Sequence, residues 1–327
     1  MIEISIALSN NTRSRPIIDG RVEVEGVKAA KTVVHPSEMF WRQLHYGDFD
    51  VSEMSLSSLL IAASRGETDW AAIPVFTMRS FFHTGIMARR GAGIRTPKDL
   101  IGRKMGVPEY QQTAAVWNRG VLEDFFGVKA SDIEWFMERG PDRSHGAATG
   151  FAPPPGVRLN QIPPDKDIGT MLASGELDAT LLYLSEPNLV DRARTPLKDI
   201  ADPVFPDKIA ESRRFYAETK IFPINHTLVV RRSLLGRHPW IALNLYHAYC
   251  KARDLVRADA SFILQEAVAT GRVAEDTAAS FADDPAPYGF AAARHVMERL
   301  ADYVHRQGLT QQRIELERIF APSTLDL

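Results

Sequence analysis

The 327-residue chain contains a single cysteine, Cys250, and this scarcity removes two classes of site. One thiol cannot form an internal disulfide, and it cannot build a zinc centre that needs several cysteine ligands. Cys250 lies in the segment LNLYHAYCKARDLV, whose apolar residues recur with helical spacing. This setting predicts a small residue packed on a helix and not a catalytic thiolate.

A strong net charge and long apolar runs are also missing. The formal net charge is −2 and the pI is near 6.5, so no basic field is predicted to attract nucleic acid or an anionic membrane. No apolar stretch approaches the roughly 18 residues of a membrane span. The opening residues, MIEISIALSNN, contain an early acid and no basic segment, which is typical of a first strand and not of a signal peptide. We therefore expect a cytoplasmic protein without a nucleic-acid or membrane partner.

Familiar cofactor motifs are absent as well. The chain has no GxxxxGK followed by Ser or Thr, no GxGxxG after a strand, no HExxH and no GxSxG. These absences predict that no nucleotide is bound. No two histidines have short metal-ligand spacing, so a divalent metal would need ligands from distant strands, for which Glu53, His83 and His226 are the candidates.

What is present is an alternation of short apolar strands and amphipathic helices. Ile2–Leu8 and Ile224–Val230 read as strands, whereas Thr113–Phe126 has the periodicity of a helix. This alternation predicts an α/β protein with mixed or parallel sheets flanked by helices. The segment from Gly140 to Gly156 is rich in Gly, Pro, Ala and Ser and predicts a mobile flap or an insertion, in which His145 is a weak candidate for catalysis.

The length of the chain is sufficient for two lobes, each with its own core. Changes of pattern near residues 85–90 and 215–225 predict two crossover strands that act as a hinge. Lobe 1 would then comprise residues 1–88 plus 222–327, and lobe 2, residues 89–221, would be inserted in it. Proteins of this kind close around a ligand in the cleft between the lobes.

The most informative segment runs from Phe49 to Arg90. It places a carboxylate, Glu53, on one strand and delivers a cation, Arg79, and a titratable base, His83, beyond the next strand. Ligands of open α/β sheets bind outside the carboxyl ends of the strands, so these side chains predict a site for an anionic small molecule. The alternative is that Glu53 and Arg79 form a surface ion pair and that His83 is a structural helix residue.

Two other segments carry candidate binding residues. The polar loop after the first strand supplies Asn11 and Arg15, and the helix that starts at Thr113 is preceded by Gln112. Free backbone N–H groups at such a helix start suit a carboxylate or a phosphate. The functional interpretation is an anion cradle, and the alternative is ordinary N-capping. His226 begins the later strand and faces the cleft only if strand alternation favours that side.

Taken together, seven segments resemble the 4,5-dihydroxyphthalate decarboxylase family. They occur in the same order over nearly the whole chain and read DVSEMS, IPVF–x₂–R–x₃–H, GVPE–x₂–QTAAV–x₂–RG, FPI–x–H, RHPW–x₃–NLY, PYG and FAP–x–TL. The resemblance implies a two-lobed fold like that of type II periplasmic binding proteins. It also implies non-oxidative loss of CO₂ from a hydroxylated aromatic carboxylate, 4,5-dihydroxyphthalate or a close analogue, to give protocatechuate or its counterpart.

The resemblance extends to individual positions, namely Arg15, Glu53, Arg79, His83, Thr113 and His226. We expect His83 or His226 to act as a general acid, Glu53 to accept a phenolic proton or to ligate a divalent ion, and Arg15 and Arg79 to orient carboxylates. Chemistry without a cofactor and chemistry assisted by a metal both stay open, as does homo-oligomerisation. The alternative function is a cytoplasmic solute-binding or sensor protein for an aromatic or other organic anion.

One segment departs from the family pattern. After the turn at residues 175–179 the family resemblance leads us to expect Arg-Pro-Pro, whereas this chain has Leu184–Pro187. If the family arginine binds a substrate carboxylate, Arg192 or Arg194 would have to replace it here. The exact substrate is therefore left open by the sequence.

Overall fold

The computed structural model describes residues 1–66, 68–275, 284 and 286–327, and it confirms the predicted α/β class. Eleven strands form two sheets in the described part of the chain. Their bounds are β1 (Ile2–Leu8), β2 (Val27–Val33), β3 (Val51–Ser55), β4 (Trp70–Arg79), β5 (Met87–Arg89), β6 (Lys104–Val107), β7 (Glu134–Met137), β8 (Arg158–Gln161), β9 (Ala179–Thr180), β10 (Ala201–Pro203) and β11 (Ile224–Arg231).

Ten α-helices flank these sheets in the described ranges. They are α1 (Arg15–Ile18), α2 (Pro36–Tyr46), α3 (Leu56–Ser64), α4 (Thr113–Phe126), α5 (His145–Thr149), α6 (Ile168–Ser174), α7 (Lys208–Thr219), α8 (Arg232–Arg237), α9 (Ile241–Ala269) and α10 (Phe290–Arg306). Cys250 lies half-buried on α9, the long helix that its setting predicted.

The first sheet has the strand order β2-β1-β3-β11-β4 and the second has the order β10-β5-β9-β6-β7-β8. β1, β2 and β3 run parallel, and β11 lies antiparallel between β3 and β4. In the second sheet β6, β7, β8 and β9 are parallel. The chain leaves the first sheet after β4 and returns to it at β11, and β5 already belongs to the second sheet.

α4 connects the two sheets close to the strand ends. Its Trp117 donates a hydrogen bond from Nε1 to the Ile224 carbonyl oxygen on β11, at 2.8 Å. A Cβ at Gly120 would lie 2.4 Å from the ring of Tyr303, so glycine is required where α4 packs against α10. The helix ends at Gly127, whose φ of 69° is the left-handed conformation favoured by glycine. The helix start is therefore held firmly between the sheets.

Two expectations need correction. Part of the segment predicted as a flap folds as α5, and this segment contacts α2 through Trp41, which donates from Nε1 to the Asp142 carbonyl oxygen at 2.9 Å. The strand predicted from Thr180 to Leu184 ends at Thr180, because the residues after it leave the sheet and line a cavity. Among the helices described, none has both the length and the apolar character needed to cross a membrane.

Candidate active site

A cavity of about 440 Å³ lies where the strands of both sheets end. Its walls come from residues that follow β1, β2, β6, β7 and β9, from the last residues of β3 and β4, and from the start of the antiparallel β11. The cavity therefore lies at the edge of the sheets where the carboxyl-end rule predicts that a ligand binds. The apolar part of the wall can hold the faces of an aromatic ring and consists of Phe40, Met78, Phe82, Leu182, Tyr183 and Leu184.

His226 and Glu53 form an acid–base pair in the wall. His226 lines the cavity, and its Nδ1 lies 3.2 Å from Glu53 Oε2, while its Nε2 lies 2.9 Å from Asn225 Nδ2. The pair forms because β11 lies beside β3, the strand that carries Glu53. His226 is opposite Ser55 in this pairing. The ring of Phe40 meets the His226 imidazole edge-on, with centroids 4.7 Å apart.

Glu53 is completely buried and is supplied with four hydrogen bonds. Ser9 donates its backbone N–H (2.8 Å) and its hydroxyl (2.5 Å) to Oε1, and Thr77 donates its hydroxyl (2.5 Å) to Oε2, beside the contact with His226. Burial alone would raise the pKa of Glu53, but the bonds from His226, Ser9 and Thr77 outweigh it and lower that pKa. The ionised form of Glu53 is therefore favoured beside the imidazole of His226.

The loop after β1 positions this carboxylate. Asn11 donates from Nδ2 to Ser9 Oγ at 2.8 Å, and its Oδ1 accepts from the backbone N–H groups of Arg13 and Ser14. Asn11 and Ser9 both line the cavity. The predicted binding residue Asn11 is thus in place, and it also holds the donor that satisfies Glu53.

The start of α4 faces the cavity with several donors. Gln112, Thr113 and Ala114 line the wall, and no partner accepts from the buried Nε2 of Gln112, which is 7% exposed. The Thr113 hydroxyl lies 2.9 Å from Ser55 Oγ, a further lining residue. A helix start with a free amide donor is suited to an anionic oxygen.

On the opposite wall lies a buried arginine, Arg139. It donates from Nε to Asp191 Oδ1 (2.8 Å) and from Nη2 to Ser37 Oγ (2.7 Å), and its Nη1 lies 3.2 Å from His145 Nε2. Burial would lower the pKa of Arg139, but nearby carboxylates, Asp191 first, raise it. The charge of this arginine is thus largely balanced inside the protein.

Arg79 and His83 are not brought into the cavity wall, which is a correction of the expected grouping with Glu53. Strand alternation places Met78 in the wall and turns Arg79 away, so that its guanidinium donates to the carbonyl oxygens of Phe222 and Pro287. Burial, followed by the charge of Arg13, lowers the pKa of Arg79 to about 10.

His83 also lies one position away from a residue that lines the cavity. Phe82 lines the cavity, whereas the His83 ring is buried against Phe205 and Phe215 and its Nε2 lies 3.1 Å from Glu211 Oε1. Burial is the largest cause that lowers the pKa of His83. Each prediction was therefore one residue away from a residue that does line the wall.

Arg15 and the two replacement arginines are also elsewhere. Arg15 begins α1, has a side chain that is 56% exposed, and donates to Asn10 Oδ1. Arg192 and Arg194 donate to backbone carbonyl oxygens and are not in the cavity wall, although Leu184 is. The cation of this wall is Arg139 instead.

The side chains proposed as ligands of a divalent metal do not converge. His83 is bound to Glu211 and not directed toward Glu53 and His226. In the described ranges no group of three or more His, Cys, Asp or Glu side chains is arranged to hold a metal ion. The residues present thus do not fit the proposed protein-only metal site, and no step of the chemistry below is assigned to one.

Several lining residues escaped the sequence interpretation, chiefly Ser9, Ser55, Arg139 and Asn225, whereas His145 was only a weak candidate for catalysis. The strand-end rule would have found Ser9 and Arg139, because Ser9 directly follows β1 and Arg139 comes two residues after β7. His145 is brought to the wall by α5, whose formation in a Gly- and Pro-rich segment carried no clear signal.

Comparison with solved structures defines the class of fold. A periplasmic aliphatic sulphonate-binding protein from Escherichia coli superposes with a TM-score of 0.57 at 12% identity, over 100% of both chains. The desulfurization enzyme DSZB superposes with a TM-score of 0.58 at 14% identity, over 100% of this chain and 98% of that one. The protein therefore has the fold of periplasmic binding proteins, as predicted. Because this fold occurs in a binding protein and in an enzyme, it does not decide between those functions.

Comparison with curated proteins is more specific. A 4,5-dihydroxyphthalate decarboxylase from Comamonas testosteroni is 35% identical over 328 aligned positions, which cover 99% of this chain and 98% of the relative. One from Pseudomonas putida is 39% identical over 180 positions, which cover 55% of this chain and 70% of the relative. No family model matches the chain. The chain belongs to the 4,5-dihydroxyphthalate decarboxylase family.

Proposed function

We propose that this protein removes CO₂, without oxidation, from a hydroxylated aromatic carboxylate, 4,5-dihydroxyphthalate or a close analogue. The relationship to the Comamonas testosteroni decarboxylase over 99% of the chain is the observation that carries this proposal. The cavity supports it, since its volume of about 440 Å³ and its aromatic and aliphatic walls suit a single substituted ring.

In the proposed pose a substrate carboxylate lies at the start of α4. The free Nε2 of Gln112, the hydroxyl of Ser55 and the backbone N–H of Ala114 provide its hydrogen bonds. The Arg139 wall is less suited to a second full negative charge, because Asp191 already neutralises that guanidinium. Arg139 and Ser37 suit the hydroxyl groups of the ring, which carry both donors and acceptors.

His226 is the proposed general acid. In its protonated form, for which the Asn225 amide must turn its Nδ2 donor away from Nε2, it transfers the Nε2 proton to the ring carbon that bears the leaving carboxylate. A phenolic oxygen para to that carbon supplies electron density. The bond between ring carbon and carboxylate then breaks, its electron pair returns to the ring, and CO₂ departs. The product carries a hydrogen where the carboxylate was, and His226 regains a proton from solvent.

Glu53 acts through His226 and does not touch the ring. All of its approach directions are occupied by Ser9, Thr77 and His226, so the sequence-based idea that it accepts a phenolic proton does not fit its surroundings. Its buried negative charge favours the imidazolium form of His226 and fixes the orientation of the ring. Glu53 is therefore proposed as a positioning residue.

The first experiment is to incubate the purified protein with 4,5-dihydroxyphthalate and a panel of hydroxybenzoates, with and without divalent metal ions. We expect CO₂ release together with an equal amount of the decarboxylated ring product, measured by chromatography. Absence of turnover across the whole panel, in the presence and the absence of metal, would refute the decarboxylase proposal.

A pair of histidine variants tests the assignment of the acid. His226→Gln should lower kcat by about 100-fold or more, which is the typical contribution of general acid catalysis. His83→Gln is the matched control, because His83 is also buried beside a carboxylate, Glu211, but lies outside the cavity wall. It should leave kcat within about threefold of the wild type. Equal losses in the two variants would remove His226 from its special role.

Binding without catalysis is the competing function, since a sulphonate-binding protein shares the fold. The thermal shift assay distinguishes the two functions when it is run beside the turnover assay. Stabilisation by 4,5-dihydroxyphthalate without any product would favour a binding or sensor protein over an enzyme.

A further inference from the structure

We propose that His145 is a positioning residue: a neutral imidazole, with its proton on Nδ1, that directs a chain of serine hydroxyls toward the substrate carboxylate at the start of α4. This inference rests on the proposed function of the cavity and identifies what aligns its anion-binding donors. The chain runs from Arg139 through His145, Ser58 and Ser55 to Thr113.

Two separate contacts fix the proton of His145 on the same nitrogen. Arg139 Nη1 lies 3.2 Å from His145 Nε2, and a guanidinium can only donate, so Nε2 must accept. On the other side of the ring, Nδ1 lies 3.2 Å from Ser58 Oγ, and that hydroxyl donates its own hydrogen to Ser55 Oγ at 3.1 Å. Ser58 must therefore accept from Nδ1, which agrees with the assignment made from Arg139.

The same logic continues to the cavity wall. Ser55 Oγ accepts from Ser58, so its hydrogen is free for Thr113 Oγ1, which lies 2.9 Å away, or for a ligand. Thr113 Oγ1 already accepts from the Ser57 backbone N–H at 2.9 Å, and Ser57 Oγ donates to the Gln111 carbonyl oxygen. Thr113 Oγ1 can in turn donate to Ser57 Oγ at 3.1 Å, and in this arrangement Ser55 is the member that can turn its hydrogen to an anion in the cavity.

The electrostatic surroundings argue against an acid–base role for His145. Its ring is 1% exposed, and burial followed by the charges of Arg139, His45 and His226 lowers its pKa well below the ordinary value. The carboxylate of Glu109 accepts from the backbone N–H of His145, and the hydrogen bonds of the ring go to Arg139 and Ser58. A proton added at Nε2 would also oppose the donor of Arg139. His145 thus stays neutral and orients its neighbours.

The decisive measurement is the affinity for phthalate, a probe that has both carboxylates but no hydroxyl groups and cannot be turned over by this chemistry. Calorimetric titration should show that His145→Ala weakens phthalate binding by about tenfold, the loss expected for one misdirected hydrogen bond to a charged group. His145→Asn should restore most of the affinity, because its side-chain amide can still donate to Ser58 from near the position of Nδ1.

Kinetics with 4,5-dihydroxyphthalate supply a second readout. In His145→Ala we expect KM to rise about tenfold with kcat changed less than threefold, and the limbs of the pH–activity profile should not move. His45→Gln is the control, since His45 contacts the same segment through the Ser144 carbonyl oxygen but lies outside the chain of hydroxyls. Its KM and phthalate affinity should equal those of the wild type.

Ser58→Ala breaks the chain one step later and serves if His145→Ala does not fold. It should weaken phthalate binding to a similar extent. The inference would be overturned if Ser58→Ala bound phthalate as tightly as the wild type, or if His145→Asn lost as much affinity as His145→Ala. It would also be overturned if His145→Ala lost one limb of the pH–activity profile, or if the wild-type protein did not bind phthalate. Phthalate binding with normal sensitivity to these variants but no CO₂ release would overturn only the proposed decarboxylation.

Discussion

Glu53 and Glu109 are both wholly buried near the same cavity, yet their carboxyl groups are displaced in opposite directions. The pKa of Glu53 is lowered, whereas burial raises the pKa of Glu109 to about 7, despite the nearby charge of Arg139. Glu53 receives two bonds at 2.5 Å, one at 2.8 Å and the contact with His226. Glu109 receives only the Ser144 hydroxyl at 3.1 Å and the His145 N–H at 3.0 Å.

The difference shows that burial by itself does not determine charge at this site. An ionised carboxylate in the interior needs several donors to replace the water that it has lost, and only the sheet that carries Glu53 provides them. The ionised form of Glu53 is therefore favoured beside His226. Glu109, with a pKa of about 7, changes its protonation state near neutral pH. The charge of Arg139 lowers this pKa less than burial raises it, and that arginine is already paired with Asp191.

The largest expected effect comes from removing the charge of the first carboxylate. In Glu53→Gln the imidazolium of His226 loses its anionic partner, so we expect kcat to fall by about 100-fold or more. The alkaline limb of the pH–activity profile should move to lower pH, because the protonated acid is less stabilised. A purely structural role for Glu53 would lower activity without moving that limb. Steady-state kinetics across the pH range measure both quantities.

The same substitution at Glu109 tests whether the two carboxyl groups have different roles. Glu109→Gln should lower kcat by less than about tenfold, since Glu109 does not contact His226. A loss in Glu109→Gln as large as that in Glu53→Gln would contradict the distinction drawn between the two residues.

The pH dependence of stability provides an effect of intermediate size. The pKa of Glu109 is about 7 in the folded protein and 4.5 is its ordinary value, so the folded state binds the proton more tightly. The free energy of unfolding that this group contributes is thus present at low pH, decreases as the pH rises from about 4.5 to about 7, and is constant above that. Glu109→Gln has no proton to lose and should not show this decrease.

Urea denaturation at pH 5 and at pH 8 measures the effect. From pH 5 to pH 8 the unfolding free energy of Glu109→Gln should rise by about 2–3 kcal/mol relative to that of the wild type. Each unit by which the pKa of Glu109 is raised corresponds to about 1.4 kcal/mol. The hydrogen bond lost in the variant lowers its stability equally at both pH values and cancels in this comparison. A constant difference between the two proteins would show that Glu109 is ionised throughout.

The sequence predicted the fold class, α4 and the position of the site because these depend on local periodicity and on the strand-end rule. It also selected Glu53, His226 and Thr113, which the structure places at or directly behind the cavity wall. It misplaced Arg79 and His83 by one residue each, because strand alternation and the path of a short turn decide which neighbour faces inward.

The opposite pKa shifts of Glu53 and Glu109 could not be predicted from the sequence, for a different reason. Their cause is a set of donors from Ser9, Thr77 and His226, which are separated by 68 and 149 residues along the chain and meet only after the first sheet has formed. Arg139 and Asp191 are likewise 52 residues apart. No local pattern specifies such contacts, whereas the topology of the sheets does.

The smallest expected effect comes from removing one donor from the well-supplied carboxylate. Thr77→Val keeps the shape of the side chain and deletes the hydroxyl that donates to Glu53 Oε2. Loss of this bond to a buried anion should lower the free energy of unfolding by about 1.5–3 kcal/mol at neutral pH. Because the pKa of Glu53 is lowered in the folded protein, the stability that this carboxylate provides is present above its ordinary pKa of 4.5 and is lost as the pH falls through its folded value. With one donor fewer, the folded pKa moves back up toward 4.5, so the acid-induced loss of stability from this carboxylate begins at the same pH in both proteins but is smaller in Thr77→Val, and its end shifts to higher pH. Urea denaturation at a series of pH values from 3 to 7 measures the shift, and superimposable acid profiles would show that Ser9 and His226 alone determine the charge of Glu53.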